Sequence, residues 1–313
     1  MPGVPLITGA TGFAGGHLLD LYMARGERVH AWGHRGSNRA ADQSGDVEWA
    51  AIDLLDRGSI RDALARVRPS LIYHCAGAAH VLTAWHTPAH ALRVNVLGTH
   101  NLLEAARDVG LTCRVLVTGS ALIYAPKTDA LTEDCPLGAP TPYGVSKLAQ
   151  EMVAAESDLP TLLVRPFNHA GPRQQATFAT SAFAQQIAEI EAGRRDAVLH
   201  VGNLDARRDI TDVRDTVRAY QALAEHGRPG IPYNVCSGTA YSMRRLLDIL
   251  LSLSTVQVRI EVDPSRLRPS DNPVILGSHA RLTADTGWTP KIPIERTLAD
   301  LLDDWRARVA RSS

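Results

Sequence analysis

The sequence predicts an α/β protein with a Rossmann-like, doubly wound parallel sheet and a smaller mixed α/β lobe. Short apolar segments alternate with helical patterns through the first half of the chain, as expected of a parallel sheet with helices on both faces. A glycine-rich turn separates the first apolar segment from the first helical pattern, which is typical of dinucleotide-binding folds. After about residue 165 the alternation gives way to longer helices and irregular loops.

The elements of the first half follow in a regular order. Mainly apolar segments predict strands at residues 5–8, 28–32, 47–52, 71–74, 114–118 and 161–165. Helical patterns lie between them at residues 13–25, 59–67, 89–109 and 142–156. Ligands of such sheets bind at the carboxyl ends of the strands, so we expect the active crevice at that edge.

The second half predicts a different organisation. Helical patterns cover residues 178–192, 213–225, 242–253 and 294–309. We expect residues 1–165 to form the dinucleotide-binding domain, with residues about 210–237 returning to it. Residues 166–209 and 238–313 then form the smaller lobe, which we interpret as the substrate-binding part.

Composition excludes several classes of protein. Lysine plus arginine and aspartate plus glutamate both number 33 in 313 residues, so no basic excess favours nucleic acid or an anionic membrane. The four cysteines lack paired or CxxC spacing, which indicates reduced thiols. Without a signal-like start or a long apolar stretch, we expect a soluble cytoplasmic protein. His86 and His90 are separated by Pro88 and have no evident third ligand, so we expect no metal.

The glycine-rich turn, Thr-Gly-Ala-Thr-Gly-Phe-Ala-Gly at residues 8–15, predicts a phosphate site. Gly9 can adopt a turn that a side chain forbids, and Gly12 lets the backbone approach a pyrophosphate. Gly15 allows the helix to pack closely on the strand. The helix N-terminus then offers N–H groups and a positive dipole to the phosphates. An ordinary βα turn is the alternative, but the strand before and the helix after favour the dinucleotide site.

Tyr143 and Lys147 predict a proton-transfer pair. Pro142 suits the first position of a helix, and a spacing of four places both side chains on one helix face. A free tyrosine has a pKa of about 10, and a nearby ammonium lowers it. This spacing also occurs by chance on many helices, so the hypothesis depends on the glycine turn and on Ser120 between the two motifs.

Cofactor choice depends on the end of the second strand. A carboxylate there accepts hydrogen bonds from an NAD ribose, whereas an arginine pairs with a 2′-phosphate. This chain has Arg35 and Arg39 in that region and no acid before Asp42. NADP(H) is therefore favoured, with NAD(H) as the alternative. The other interpretation is that these arginines lie on a solvated loop and do not contact the cofactor.

Together these motifs resemble the extended short-chain dehydrogenase/reductase superfamily, the NAD-dependent epimerase/dehydratase family, from about residue 3 to residue 306. Further matches are Asp53-Leu54 at the adenine end of the cofactor, residues 74–78 after the fourth strand, and residues 95–99 on the next helix. The resemblance implies that Ser120, Tyr143 and Lys147 are catalytic. It also implies that the cofactor contacts Gly9, Thr11, Gly12, Phe13, Ala14, Arg35, Asp53, Leu54, Ala76, Gly77, Ala78, Asn95, Tyr143, Lys147 and Phe167.

Residues 165–172, 201–215 and 266–271 resemble the GDP-sugar branch of this superfamily, which contains GDP-mannose 4,6-dehydratase and GDP-4-keto-6-deoxy-D-mannose reductase. This narrower resemblance implies a GDP-linked sugar as substrate, bound by Ser120, Asn168, Arg208 and Arg268. Two positions depart from the family pattern. Arg173 stands where glycine is common, and Gln185 lies near the position of a lysine, so the phosphate contacts and the nucleotide stay open.

One position separates the two activities of the branch. Dehydratases of the superfamily carry an acidic residue two places after the catalytic serine or threonine, and this chain has Leu122 there. Leucine has no ionisable group for removing water. We therefore expect reduction of the C4 ketone to a GDP-6-deoxyhexose, GDP-D-rhamnose. The alternatives are a 4-epimerase, a talose-forming reductase, a dehydratase, and a non-enzymatic NADP-sensing binding protein.

The resemblance also implies a homodimer. In family relatives the helices beginning near residues 89 and 142 pair across a dimer interface. Their sequences here are suitably apolar, although the same apolar stripe is equally compatible with intramolecular core. Dimerisation is an expectation from the resemblance alone.

Overall fold

The fold is described by a computed structural model covering residues 3–34, 45–266 and 272–311. Within these ranges the chain forms strands and helices in the alternation that the sequence predicts. The strands are β1 Leu6–Thr8, β2 Val29–Gly33, β3 Val47–Ala51, β4 Leu71–His74, β5 Arg114–Thr118, β6 Thr161–Pro166, β7 Asn168–Ala170, β8 Val198–Val201, β9 Arg207–Asp212, β10 Pro232–Val235, β11 Ala240–Ser242, β12 Arg259–Val262 and β13 Val274–Ile275.

Seven strands form one parallel sheet in the order β10-β6-β5-β4-β1-β2-β3. The strand order reverses beside β1, as in a doubly wound sheet, so the predicted fold class is confirmed. All six strands predicted in the first half are present, with ends within one residue of the prediction. The seventh strand, β10, comes from the second half of the chain and pairs with β6 at the sheet edge.

Four of the helices begin directly after a residue whose side chain caps them. Side chains of Asp56, Thr141, Asp212 and Ser242 each accept a hydrogen bond from the first turn of the helix that follows. The helices are α1 Phe13–Met23, α2 Arg57–Val67, α3 Val81–His86, α4 Pro88–Leu92, α5 Gly98–Asp108, α6 Pro142–Ala155, α7 Ala179–Glu191, α8 Val213–His226, α9 Met243–Ser252, α10 Ala280–Thr286 and α11 Ile294–Arg311.

The helix predicted over residues 89–109 is present and runs without a break over residues 88–108, but it is not α-helical throughout. It comprises α4, a π-helical segment at Arg93–Leu97, and α5. A π-helical turn holds an extra residue, so a search for the regular α-helical period does not reveal it. The segment carries Asn95, which the resemblance places at the cofactor.

Two apolar layers cover the large sheet. On one face, side chains of α1, α8 and α10 pack on the strands, including Leu18, Tyr220 and Leu282. On the other, α2, α5 and α6 supply Ile60, Leu102 and Ala154 among other buried residues. Burial of both faces explains why the inner strands are mainly apolar rather than strictly alternating.

The second half also builds a smaller lobe. Its strands form the sheet β11-β9-β13 with β7 beside β9, and a separate pair β8-β12. Side chains of α7, α9 and α11 form its core, including Ile187, Leu246 and Leu298. The boundaries at residues 165, 209 and 237 stay a prediction, because β9 runs across residue 209 and then leads directly into α8.

The remaining general features concern membranes and thiols. Within the described ranges, no helix has both the length and the hydrophobicity needed to cross a bilayer. The four cysteines are free, and Cys236 is buried. Burial raises the pKa of the Cys75 thiol to about 12, so this thiol stays protonated at neutral pH.

Candidate active site

The glycine-rich turn lies at the carboxyl end of β1. Gly9 has φ +67°, and a Cβ there would lie 2.7 Å from the backbone of Ala76 at the end of β4. Gly12 precedes the first residue of α1 and has no side chain to cap that helix. The first turn therefore presents backbone N–H groups at the crevice, an arrangement suited to a pyrophosphate. Thr11, Phe13 and Ala14 border this turn and are partly exposed.

Residues Ala76, Gly77 and Ala78 follow β4 and pass beside the glycine-rich turn, and Asn95 holds this segment in place. The Asn95 Oδ1 atom accepts the Ala78 N–H at 2.8 Å, and its Nδ2 donates to the Ala78 carbonyl at 3.2 Å and to Ser146 Oγ at 2.9 Å. A Cβ on Gly77 would lie 2.8 Å from Asn95 Oδ1. Asn95 is fully buried, and both ends of its amide are bonded to protein, so it fixes the position of this segment.

The expected adenine end of the cofactor lies beyond β3. Asp53 is exposed there, and its Oδ1 accepts the N–H of Leu55 at 2.9 Å. The Leu54 carbonyl accepts a hydrogen bond from Asn101 on α5 at 2.9 Å. Both residues thus lie at the carboxyl edge of the sheet, as expected. Arg35 and Arg39, which favoured NADP(H), lie outside the described residues, as does Arg268 of the expected substrate contacts.

Ser120, Tyr143 and Lys147 come together at the end of β5 and the start of α6. All three side chains are buried. Ser120 Oγ accepts the Leu122 N–H at 3.1 Å and hydrogen-bonds the Tyr143 phenol. Burial raises the pKa of Tyr143 to about 12, and the bond with Ser120 opposes this rise. The phenol is therefore protonated at neutral pH and is placed to donate a proton.

Lys147 is held by two acceptors. Its Nζ donates to the Thr118 carbonyl at 2.9 Å and to Gln150 Oε1 at 2.8 Å. Burial lowers its pKa to about 8, so the ammonium form prevails at neutral pH. The expectation that Lys147 lowers the pKa of Tyr143 is not met here. Burial and Ser120 are the influences on that phenol among the described groups, because the ammonium is directed toward Thr118 and Gln150.

Leu122 occupies the position where dehydratases of the superfamily have an acid. It is partly buried and packs in a small apolar cluster with Tyr143, Ala84 and Ala91. The wall beside the Tyr143 ring is therefore hydrocarbon at this position and has no group for acid-base chemistry.

Two of the expected substrate contacts lie on neighbouring strands of the smaller sheet. Asn168 on β7 pairs with Ile210 on β9, two residues after Arg208. Asn168 is exposed, and Arg208 Nη1 donates to the carbonyl of Arg207 at 2.9 Å. The structure thus places a carboxamide and a guanidinium at the same part of the lobe.

Sequence reasoning missed Asp209, which organises this lobe. It is fully buried, and its carboxylate accepts the N–H and Oγ–H of Ser237 at 2.7 and 2.6 Å. It also accepts the N–H groups of Gly238 at 3.0 Å and Gly277 at 3.2 Å. Its carboxylate therefore joins two other segments, at residues 237–238 and at Gly277, to β9. The sequence signal that could have identified Asp209 is an acidic residue within a strand that is otherwise buried. A buried carboxylate needs several hydrogen-bond donors, so it indicates contacts with other segments of the chain.

Phe167, an expected cofactor contact, lies in a small apolar cluster. Its side chain is buried among Tyr124, Leu131, Cys236 and Ile275. Its N–H donates to the Val235 carbonyl at 2.9 Å. Packing thus accounts for both its side chain and its N–H, and the cofactor contact stays a prediction.

Arg173 adopts the left-handed conformation, with φ +72°. This conformation favours glycine, which explains the family preference at this position. Its N–H donates to Asp304 on α11 at 2.7 Å, and its guanidinium forms an ion pair with Asp20 on α1. Arg173 therefore joins α1 to α11. Gln185, the other departure from the family pattern, is partly buried on α7.

Comparisons with known proteins identify the family of this chain. The family model described as GDP-mannose 4,6 dehydratase matches residues 6–301. The chain is 35% identical to the GDP-6-deoxy-D-mannose reductase of Pseudomonas aeruginosa, over 97% of each protein. It is also similar to the solved structure of RMD from Pseudomonas aeruginosa complexed with NADPH, with a TM-score of 0.84 and 33% identity over 98% of this chain and 99% of that one.

A more distant solved structure shows the breadth of this fold. The NAD-dependent NDP-hexosamine 5,6-dehydratase TunA, involved in tunicamycin biosynthesis, has a TM-score of 0.85 and 26% identity, covering 98% of both chains. The family-model match, the 35% identity across nearly the whole chain and the assembled Ser-Tyr-Lys site agree with one another. The chain belongs to the GDP-mannose 4,6-dehydratase family of the extended short-chain dehydrogenases/reductases, which are NAD(P)-dependent enzymes of nucleotide-sugar metabolism.

Proposed function

We propose that this protein reduces the C4 ketone of GDP-4-keto-6-deoxy-D-mannose to a GDP-6-deoxyhexose, GDP-D-rhamnose. The observation that carries the proposal is Leu122, which places hydrocarbon against Tyr143 at the position of the dehydratase acid. Ser120, Tyr143 and Lys147 retain the groups that ketone reduction needs. The 35% identity to GDP-6-deoxy-D-mannose reductase supports the same choice.

The residues of the crevice fit a nicotinamide dinucleotide. Gly9 lets the turn pack against the backbone of Ala76, where a Cβ would lie 2.7 Å away, and the uncapped first turn of α1 offers N–H groups to the cofactor phosphates. When bound, the cofactor supplies the hydride that is added to C4. We infer NADPH as the preferred donor, because the RMD relative was solved with NADPH and Arg35 follows the second strand. NADH is the alternative.

The residues of this chain supply the proton and hold the ketone. Tyr143 donates its phenolic proton to the C4 oxygen, which becomes the new hydroxyl group. Ser120 hydrogen-bonds the same oxygen and stabilises the charge that develops on it, a contribution of about 3–4 kcal/mol where one such donor has been removed. Lys147 stays cationic, and its remaining N–H is assigned to the nicotinamide ribose of the cofactor.

The sugar nucleotide is assigned to the smaller lobe. We propose that residues 166–209 and 238–313 bind it, with Asn168 near the diphosphate and with Arg208 and Arg268 at the nucleotide and its phosphates. A guanidinium suits phosphate because its donors form a planar fork. The position of Asn168 and Arg208 on adjacent strands supports this assignment. Arg173 is not included, because it forms an ion pair with Asp20.

We further propose that two copies pair through an apolar helical face. Large apolar side chains on α3, α4, the π-helical segment and α6 are at least 41% exposed: Leu82, Trp85, Leu92, Leu97, Val145 and Met152. Light scattering should therefore show a dimer that Met152→Glu converts to monomer. Val262→Glu is the control, because Val262 is equally exposed at 60% but lies on β12. A monomeric wild type would contradict the dimer.

The free cysteines fit a reducing compartment, so we infer a cytoplasmic location.

The decisive experiment generates GDP-4-keto-6-deoxy-D-mannose in situ and adds the protein with NADPH or NADH. Loss of the reduced cofactor is followed by absorbance, and the sugar product is identified by NMR. We expect stoichiometric oxidation with a rhamno product, and Tyr143→Phe should lower the rate about 10²–10⁴-fold. A talo product would mean that the hydride is added to the opposite face of the ketone.

Two further outcomes separate the alternatives. A 4-epimerase recycles its cofactor, so NADP⁺ released in proportion to product excludes that activity. Absence of oxidation with confirmed substrate and cofactor-loaded protein would refute the reductase. Such a result would favour other nucleotide-4-keto sugars, or the NADP-sensing role if Tyr143→Phe also leaves the biological function intact.

A further inference from the structure

A buried chain of polar side chains runs behind the catalytic lysine. Lys147 Nζ donates to Gln150 Oε1 at 2.8 Å, and Gln150 Nε2 donates to Thr99 Oγ1 at 2.9 Å. Thr99 Oγ1 is also 2.8 Å from His74 Nε2, and His74 Nδ1 is 2.8 Å from Thr8 Oγ1. All five residues are at most 4% exposed. The chain therefore links α6, the helix that carries Lys147, to α5, β4 and β1 in the interior.

The direction of each hydrogen bond around Thr99 is determined by counting protons. The Thr99 hydroxyl donates its single proton to the Asn95 carbonyl at 2.7 Å, so its oxygen can only accept from Gln150. The Gln150 amide must then turn its NH₂ group toward Thr99 and its oxygen toward Lys147. The amide orientation follows from the neighbours of Gln150.

The histidine end of the chain agrees with this direction. Burial lowers the pKa of His74 to about 3, so its ring is neutral and has one N–H at physiological pH. Thr8 Oγ1 accepts the Ala76 N–H at 3.3 Å, which leaves the Thr8 proton for His74 Nδ1. The His74 Nε2–H then donates to Thr99. Thr99 thus donates once and accepts twice, which satisfies its hydroxyl group.

Lys147 consequently lies between two groups that can only accept. The Thr118 carbonyl and Gln150 Oε1 stabilise the ammonium, and neither can donate to a neutral amine. Among the residues that the structure describes, no titratable group that acts on this ammonium supplies a negative charge at neutral pH. Burial raises the pKa values of Cys75 and Tyr143 to about 12, and His74 is neutral. The amide oxygen of Gln150 thus makes a large contribution to the charged state of a lysine in this interior.

We propose that Gln150 is a positioning residue that keeps Lys147 protonated and directed toward the reacting groups, with its amide oriented by Thr99. Two ammonium protons are used by Thr118 and Gln150, and the third is available for the cofactor. The role in catalysis rests on the proposed reductase function. The effect on the charge of Lys147 does not.

The first test measures the charge of Lys147 directly. Lys127, Lys147 and Lys291 are the only lysines in the sequence, so protein labelled with ¹³C-lysine has three Cε signals, and Lys147→Arg identifies one of them. We expect Gln150→Leu to lower the Lys147 pKa by about one unit, the size of one hydrogen bond to a charged group. Gln150→Glu should raise it, because a carboxylate replaces the amide. The other two lysines should not shift.

A matched control removes a buried glutamine elsewhere. Gln186 lies on α7 in the smaller lobe, whereas Lys147 lies on α6. Gln186 is 2% exposed and hydrogen-bonds the backbone of His200. Gln186→Leu should leave the Lys147 pKa unchanged. An unchanged Lys147 pKa in both folded Gln150 variants would overturn the proposal. General loosening of the fold would shift the pKa in the same direction in both variants, whereas a charge effect shifts it in opposite directions in Gln150→Leu and Gln150→Glu.

The second test uses the pH dependence of reduction. Gln150→Leu should move the alkaline limb of the kcat profile to lower pH by the same interval as the NMR pKa, with the KM for the sugar unchanged. A uniform fall in kcat without movement of the limb would refute the catalytic part. If the wild type does not reduce the keto sugar but the NMR shifts occur, the proposed function fails and the assignment of Gln150 stands.

Discussion

Replacing Glu151 by alanine should strongly destabilise the protein, because this residue neutralises a buried arginine. Arg165 on β6 is 4% exposed, and Glu151 on α6 is 7% exposed. Arg165 Nη2 donates to Glu151 Oε1 at 2.6 Å and Nε donates to Oε2 at 3.0 Å. The pair joins α6, which carries Tyr143 and Lys147, to the central sheet.

The expected magnitude follows from what the substitution leaves behind. In Glu151→Ala, Arg165 keeps its bonds to Tyr124 Oη at 2.8 Å and to the Glu133 carbonyl at 3.0 Å. It loses its buried counter-charge, and breaking such a pair from one side costs about 3–5 kcal/mol. Glu151→Gln retains an acceptor and should cost about 1.5–3 kcal/mol. Either loss is a large fraction of a typical unfolding free energy of about 5–15 kcal/mol.

Urea denaturation followed by circular dichroism and fluorescence measures these costs. Asp62→Ala is the control, because Asp62 pairs with Arg61 at the surface, where their side chains are 71% and 55% exposed. This change should alter the unfolding free energy by less than about 1 kcal/mol. In a double-mutant cycle, Glu151→Leu with Arg165→Met should cost less than the sum of the single variants by about 1–3 kcal/mol. If Glu151→Ala costs no more than Asp62→Ala, the reasoning from a buried ion pair is refuted.

Three further predictions follow from other contacts. Gly9→Ala places a Cβ 2.7 Å from Ala76 in a conformation with φ +67°, so it should weaken NADPH binding in a titration, and unchanged affinity would argue against this turn as the phosphate site. Arg173→Gly removes left-handed strain of about 1–2 kcal/mol and loses a partly exposed ion pair, so its melting temperature should stay close to wild type and a large fall would contradict the assigned strain. Hydrogen bonding to Arg306 lowers the pKa of Glu191 from 4.5 to about 2, so this contact stabilises the fold above pH 4.5 and is lost as pH falls through 2. The stability difference between wild type and Arg306→Ala should shrink over that interval, and a constant difference would exclude the linkage.

Sequence patterns determined the large domain because they are local. The strands β1 to β6 are short, mainly apolar segments, and the helices between them have apolar periods that do not depend on distant residues. Two of these helices, α2 and α6, also follow a capping side chain. The glycine turn and the spacing of Tyr143 and Lys147 are equally local. Their coincidence in one chain sufficed to predict the fold class and the chemical groups of the site.

Tertiary structure decided which groups neutralise, orient and bury one another. Residues far apart in sequence meet when β10 joins β6, when Asp209 accepts bonds from three loop amides, and when His74, Thr99 and Gln150 align behind Lys147. The periodicity of the sequence does not predict these contacts, because they join segments that strand order brings together. The hydrogen-bond directions around Thr99 become evident only when all its partners are in place. The sequence alone therefore determined which reactive groups the protein has, and the packing of distant segments determined their charge and direction, because burial and hydrogen bonding set both.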